Sequence, residues 1–126
     1  MSTRTFITIK FQIEGFHCFP MAKEIFPEVS FLSDRHRHIF HIECKKKVFH
    51  DDRDVEFILF KREVQSYMID RFGSQRFDEN HPPFAYHCEF GVMSCEMIAR
   101  DLLEKYDLES CKVEEDGENG SIVEKV

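Results

Sequence analysis

Three histidines in this chain are spaced in a way that could bind a metal ion. His17 ends a run of alternating polar and apolar residues, and His36 and His38 open a second such run. Residues two apart on a β-strand share a face and start roughly 6.6 Å from each other, so both imidazoles could reach one ion. Three neutral imidazoles with an open fourth position are the ligand set of a catalytic zinc ion. The alternative is that these are surface or loop histidines near strand ends.

The elements that would bring the histidines together are two strands. Alternation predicts the first strand over residues 5–17 and the second over 36–49. If they pair antiparallel, the end of the first meets the start of the second, and the three rings gather at one end of the sheet. Residues 18–35 contain Pro20 and Pro27 and are predicted to form a long connection.

Apolar residues at spacings of three and four predict two helices after these strands. One covers residues 55–71, and the other follows Ser94, a candidate N-cap, as far as Tyr106. Residues 73–91, with two adjacent prolines, are predicted to be a connection.

The end of the chain completes the predicted sheet. Short strands are expected over residues 111–115 and 121–126, on either side of a turn-forming run. The order ββααββ predicts an α+β domain over residues 1–126, an antiparallel four-stranded sheet with two helices on one face.

Composition narrows the class of partner and the compartment. The 126 residues include 17 Lys and Arg against 24 Asp and Glu, a net charge of −7, which disfavours binding to nucleic acid or to an anionic membrane surface. No apolar run reaches the roughly 20 residues of a membrane span. The five cysteines contain no CxxC pair, so we expect free thiols in a reduced, cytoplasmic setting.

Several short motifs together carry a resemblance to a known family. They are Phe16-His17, His36-Arg37-His38, Glu56-Phe57-Ile58-Leu59-Phe60-Lys61, Ser94-Cys95-Glu96, and Val113-Glu114-Glu115 followed by Gly120. In this order the motifs resemble the 6-pyruvoyl-tetrahydropterin synthase family, including its 6-carboxytetrahydropterin synthase branch from queuosine biosynthesis. The resemblance spans nearly the whole chain.

The resemblance implies an architecture and a set of site residues. The family has the T-fold, in which subunits join their sheets into a ring, commonly a hexamer made from two trimers, with active sites between subunits. By similarity, His17, His36 and His38 would bind zinc, while Glu115 would accept hydrogen bonds from a pterin and Glu96 would also contact substrate. A carboxylate suits a pterin because its two oxygens can meet two parallel N–H donors.

The family's catalytic base is usually a cysteine in the loop before the HxH motif. This chain has no cysteine between Phe19 and His36, and the expected positions hold Ser30, Leu32 and Ser33. A serine without an activating partner is a poor base.

Other groups could supply or assist the base. Some family members use a glutamate instead, which leaves Glu24 and Glu28 as candidates. The family's assisting Asp-His pair would correspond to Asp78 and His81; His81 is either a positioned acid or base, or a surface histidine in a stiff loop.

The resemblance therefore predicts a zinc-dependent lyase acting on 7,8-dihydroneopterin triphosphate or a related pterin. Two alternatives stay open. One is a catalytically degenerate relative that binds a pterin or purine without turnover, which the missing cysteine favours. The other is an acidic assembly protein in which the histidines only pack.

Overall fold

Alternating apolar residues build the longest strands of a six-stranded sheet. A computed structural model describes residues 1–75 and 86–126. Its strands are β1 (Thr5–His17), β2 (His36–Val48), β3 (Gly73–Gln75), β4 (Tyr86–Gly91), β5 (Ser110–Glu115) and β6 (Asn119–Glu124). Its helices are α1 (Ala22–Ile25), α2 (Phe57–Phe72) and α3 (Cys95–Tyr106), and a 3-10 helix covers Pro27–Ser33.

The strand order across the sheet is β3-β4-β1-β2-β5-β6. Neighbouring strands are antiparallel except β1 and β4, which run parallel. The predicted α+β class is confirmed. The predicted four-stranded antiparallel sheet in the order ββααββ is not, because β3 and β4 lie in the stretch predicted to be a connection and make the sheet mixed.

Local sequence gives little sign of β4. This strand has six residues, and only its second half pairs with the end of β1. A strand this short forms because distant partners complete its backbone hydrogen bonds, and periodicity does not report such partners. The connection at residues 18–35 likewise contains α1 and the 3-10 helix, of four and seven residues.

One face of the sheet is covered by α2 and α3. The buried core between the layers includes Ile9, Phe11, Phe40, Ile42, Cys44, Phe60, Val64, Met68, Ile98, Ala99 and Leu102. The register pairs Phe11 with Ile42 and Ile9 with Cys44, so β1 and β2 present their apolar residues to the same side. His17 and His38 continue this inner face at the end of the strand pair where residues 18–35 connect β1 to β2.

Side-chain caps fix where the two long helices begin. Glu56 accepts hydrogen bonds from the backbone N–H groups of Ile58 and Leu59 at the start of α2. Ser94 accepts from the Met97 N–H at 3.2 Å, which confirms the predicted N-cap of α3. Among the described helices, none combines the length and the apolar composition needed to cross a bilayer.

Candidate metal centre

Strand register brings the three histidines together. His17 on β1 lies directly opposite His36 on β2, and His38 lies opposite Gly15. The ring centroids are 4.6 Å apart for His17 and His36, 4.9 Å for His36 and His38, and 5.3 Å for His17 and His38. One ring nitrogen from each histidine lies within 4.8 Å of the other two. This cluster could hold a metal ion.

Each imidazole is held in place through its Nδ1 atom. The Nδ1 of His17 lies 2.9 Å from the carbonyl oxygen of Met93, and that of His36 lies 2.8 Å from the carbonyl oxygen of Asp34. A carbonyl oxygen can only accept a hydrogen bond, so these two Nδ1 atoms carry protons. When the rings are neutral, Nε2 is then the free ligand atom, which is the tautomer found in many metal sites.

A carboxylate holds the third ring. Asp116 Oδ2 lies 2.7 Å from His38 Nδ1, and Asp116 Oδ1 accepts the backbone N–H of Ile39 at 2.9 Å. Asp116 adopts a left-handed backbone conformation with φ of 57°, which aspartate tolerates better than most residues. These contacts lower the pKa of Asp116, first through the hydrogen bond from Ile39 and then through that from His38. Asp116 is thus the side chain that orients His38.

The Nε2 atoms of His36 and His38 are buried without a hydrogen-bond partner. Buried polar atoms in folded proteins almost always have partners, so two orphaned ring nitrogens facing one point require an explanation. A bound cation would explain both nitrogens, since neutral imidazole nitrogen is a preferred ligand of zinc and other transition metals. The residues present therefore fit a metal ion.

Glu115 lies against this cluster. Its Oε1 atom is 3.3 Å from His17 Nε2, and its Oε2 atom is 3.0 Å from His38 Nε2. The second contact is close but does not have hydrogen-bond geometry, because His38 Nε2 has no hydrogen-bond partner. The hydrogen bond with His17 lowers the pKa of Glu115. Burial works to lower the pKa of His17, but Glu115 and the Met93 carbonyl outweigh it and raise that pKa.

A cavity of about 680 Å³ opens beside the histidine cluster. Its lining is largely apolar and includes a few polar groups; the residues are His17, Cys18, Phe19, Pro20, Met21, Leu32, His36, Val92, Met93, Ser94, Cys95, Glu96, Met97, Glu115, Asn119, Gly120 and Ser121. Apolar walls with a small number of placed polar groups are typical of small-molecule sites. Glu115 and Glu96, both predicted to bind substrate, lie on this cavity.

The residues at the expected base positions, and the two candidate glutamates, lie at different places. Leu32 is on the cavity wall, and Ser33 Oγ accepts the backbone N–H of Lys23. Ser30, Glu24 and Glu28 are exposed and are not among the lining residues.

The predicted Asp-His pair is not placed by the structure. Asp78 and His81 lie outside the described residues.

Two thiols lie on the cavity. Cys18 is half-buried. Cys95 Sγ lies 3.5 Å from Glu115 Oε1, and burial, followed by the charge of Glu115, raises the pKa of this thiol to about 12. Cys95 is therefore a neutral thiol at physiological pH and not a base.

Sequence reasoning missed Asp116 and the Met93 carbonyl as partners of the histidines. The sequence predicts Asp116 only as part of a turn-forming run, and no local signal links it to His38, 78 residues earlier. Glu115 had a signal that could have been used. It continues the parity of Cys111 and Val113, both buried, and therefore belongs to the inner face of β5.

Comparison with known proteins gives a fold and no function. No protein-family model and no curated protein matches the sequence. The chain is similar to a crystal structure of an uncharacterised protein, WS1659, from Wolinella succinogenes, with a TM-score of 0.62 and 15% sequence identity. The superposition covers 99% of this chain and 100% of that one. At this identity the likeness establishes a shared fold.

Proposed function

We propose that this protein is a zinc-dependent lyase of the pterin synthase type with the T-fold, acting on 7,8-dihydroneopterin triphosphate or a related pterin of the tetrahydropterin or queuosine pathway. The observation that carries the proposal is the pair of buried, unpartnered Nε2 atoms of His36 and His38, which face His17 beside an apolar cavity. The motifs that resemble the pterin synthase family support the choice of substrate.

His17, His36 and His38 would hold the zinc ion through Nε2. The ion would supply a Lewis acid that makes a C–H bond next to a chelated oxygen more acidic. The carbonyl oxygens of Met93 and Asp34 and the carboxylate of Asp116 keep the three rings aimed at one point.

The remaining wall of the cavity suits a flat nitrogen heterocycle. Phe19, Leu32 and Met93 give apolar surface for the faces of a ring. Glu115 and Glu96 provide carboxylate oxygens that can accept N–H groups at its edge. This pairing of apolar faces and acidic edges supports a pterin better than a free phosphate, which has neither an apolar face nor N–H donors.

Metal analysis tests the first half of the proposal. We expect about one zinc per chain in protein purified without chelators or added metal, and loss of that zinc in the double variant H36A/H38A. His41 lies on β2 with the opposite parity and serves as the control, so H41A should keep its zinc. Absence of bound metal from the native protein, or equal zinc in all three, would refute a histidine metal site.

Turnover tests the second half. Incubation with 7,8-dihydroneopterin triphosphate should release triphosphate, measured by chromatography, and H36A/H38A should abolish release. A protein that binds zinc but releases no triphosphate would contradict the lyase assignment for this substrate.

A second candidate function is binding of a pterin or purine without turnover. The observation that favours it is the chemistry around the cavity: of Ser30, Leu32 and Ser33, which hold the expected base positions, only Leu32 lines the cavity, and Cys95 is a neutral thiol. Under this alternative, pterin fluorescence changes on binding in wild-type protein and not in E115Q, while the ligand is recovered unaltered.

We also propose that the protein forms a homo-oligomer, a hexamer or another trimer-based ring, with sites between subunits. The edge strand β6 supports this, because among the described strands it pairs only with β5, and three of its residues, Asn119, Gly120 and Ser121, line the cavity. An open strand edge is a template for a strand from another chain. Light scattering measures the mass directly, and a monomer at micromolar concentration would refute the assembly.

A further inference from the structure

The carboxylate of Glu115 contacts two of the three histidines at once. Its two oxygens lie 3.3 Å from His17 Nε2 and 3.0 Å from His38 Nε2. The register explains the position: Glu115 lies opposite Phe40, two residues after His38, and points to the same face of the sheet. Four potential ligand groups therefore meet where three were expected.

A hydrogen bond from His17 accounts for one of the two Glu115 contacts, but hydrogen bonding does not account for the contact with His38. His38 is bound through Nδ1 to Asp116, and its Nε2 is buried without a hydrogen-bond partner although Glu115 Oε2 lies 3.0 Å away. His36 Nε2 has no partner either. A carboxylate oxygen and a deprotonated imidazole nitrogen both present lone pairs, so their close approach is repulsive unless a proton or a metal cation lies between them. A metal cation between the carboxylate and the rings would relieve this repulsion.

The distances agree with that interpretation. With metal–nitrogen and metal–oxygen bonds of about 2.0–2.2 Å, neighbouring ligand atoms on a tetrahedral zinc are roughly 3.3–3.5 Å apart. The contact of 3.3 Å between Glu115 Oε1 and His17 Nε2 falls in this range, and the contact of 3.0 Å between Glu115 Oε2 and His38 Nε2 is shorter by about 0.3 Å. No other described side chain brings an acidic oxygen this close to two of the rings.

We propose that Glu115 is the fourth ligand of the metal in the ligand-free protein, completing a three-histidine, one-carboxylate site. The inference rests on the proposed metal site and gives Glu115 a role there that is separate from accepting hydrogen bonds from a substrate. The Glu115 side chain is 28% exposed, against 10% for His17 and 17% for His38. Of these three groups, Glu115 is therefore the one with most room to leave the metal when a small molecule enters the cavity.

Cobalt(II) substitution tests the inference, because the visible absorption of cobalt reports the number and type of ligands. Wild-type protein, E115Q and Glu115→Asp are compared with E114Q, which changes the adjacent residue on the opposite face, where Glu114 pairs with Lys112. We expect E115Q to change the cobalt spectrum and to weaken metal binding by at least about 10-fold, as loss of metal-site partners typically does. E114Q should match the wild type.

Glu115→Asp separates ligation from simple charge attraction. Aspartate keeps the negative charge but is one methylene shorter, so ligation predicts a changed spectrum and attraction predicts an unchanged one. A wild-type spectrum in both E115Q and Glu115→Asp overturns the inference. If H36A/H38A loses cobalt in that case, the three-histidine site itself stands. Wild-type protein that binds no cobalt refutes both. Circular dichroism confirms that each variant is folded.

Discussion

The contact between Asp116 and His38 allows a quantitative test of the metal centre. His17 and His36 are held by backbone carbonyl groups, so His38 is the only one of the three rings whose Nδ1 partner is a side chain. We predict that Asp116→Asn weakens zinc binding without altering any metal ligand. Side chains that orient metal-binding histidines typically contribute about 10–100-fold to affinity, which corresponds to about 1.4–2.7 kcal/mol.

The geometry places Asp116→Asn toward the upper part of that range. Asp116 uses one oxygen for the Ile39 N–H at 2.9 Å and the other for His38 Nδ1 at 2.7 Å. The amide has one oxygen only. If that oxygen stays with Ile39, the amide N–H group faces His38 Nδ1 and favours the tautomer with its proton on Nε2, which cannot bind a metal. If the amide turns over, the Ile39 N–H loses its acceptor.

The assay is competition for zinc between the apoprotein and a chromophoric chelator at neutral pH. Asp107→Asn is a matched control, because Asp107 also has a positive φ, 51° against 57° for Asp116, but pairs with Lys125 at the surface. The reasoning is refuted if the two folded variants bind zinc equally well, since the carboxylate would then have no part in orienting His38.

Three further outcomes are expected. Iodoacetamide should label half-buried Cys18 first among the five cysteines, as measured by peptide mass spectrometry. Burial raises the pKa of Cys88 to about 12, so earlier labelling of Cys88 would contradict this prediction. Ser94→Ala should lower the free energy of unfolding, measured in urea, by about 1 kcal/mol. The control Ser30→Ala, at an exposed position, should lower it by almost nothing, and equal losses would argue against the N-cap. Burial raises the pKa of Tyr106 from 10.0 to about 12, which favours its neutral form in the folded state. Its contribution to stability is therefore complete below pH 10 and is lost as the pH rises toward 12; Tyr106→Phe should lack this loss, and identical alkaline stability curves would contradict the assignment.

Periodicity predicted the parts of the fold that depend on long, regular alternation. β1 covers the predicted 5–17, and β2 starts at His36 as expected. Once those two strands pair, parity alone puts His17, His36 and His38 on one face at one end. The cluster could therefore be predicted from the sequence because each ring's position follows from a two-residue repeat.

The rest depends on contacts between distant residues. β4 forms by pairing with β1 and β3, and its own six residues carry too little pattern to predict it. Asp116 reaches His38 only because β5 lies beside β2. The Met93 carbonyl has no side-chain signature at all. Such partners are brought together by the tertiary structure, and the local sequence pattern around each residue does not report them.

The use of main-chain oxygens to hold two of the rings has an evolutionary consequence. The peptide carbonyls at positions 34 and 93 exist whatever amino acid occupies those sites, so mutation there can replace the side chain and leave the alignment of His17 and His36 intact. These two contacts tolerate sequence drift, whereas the contact from the Asp116 side chain does not. Distant homologues would then be detected more readily by comparing structures, through three imidazoles with this backbone support, than by comparing sequences.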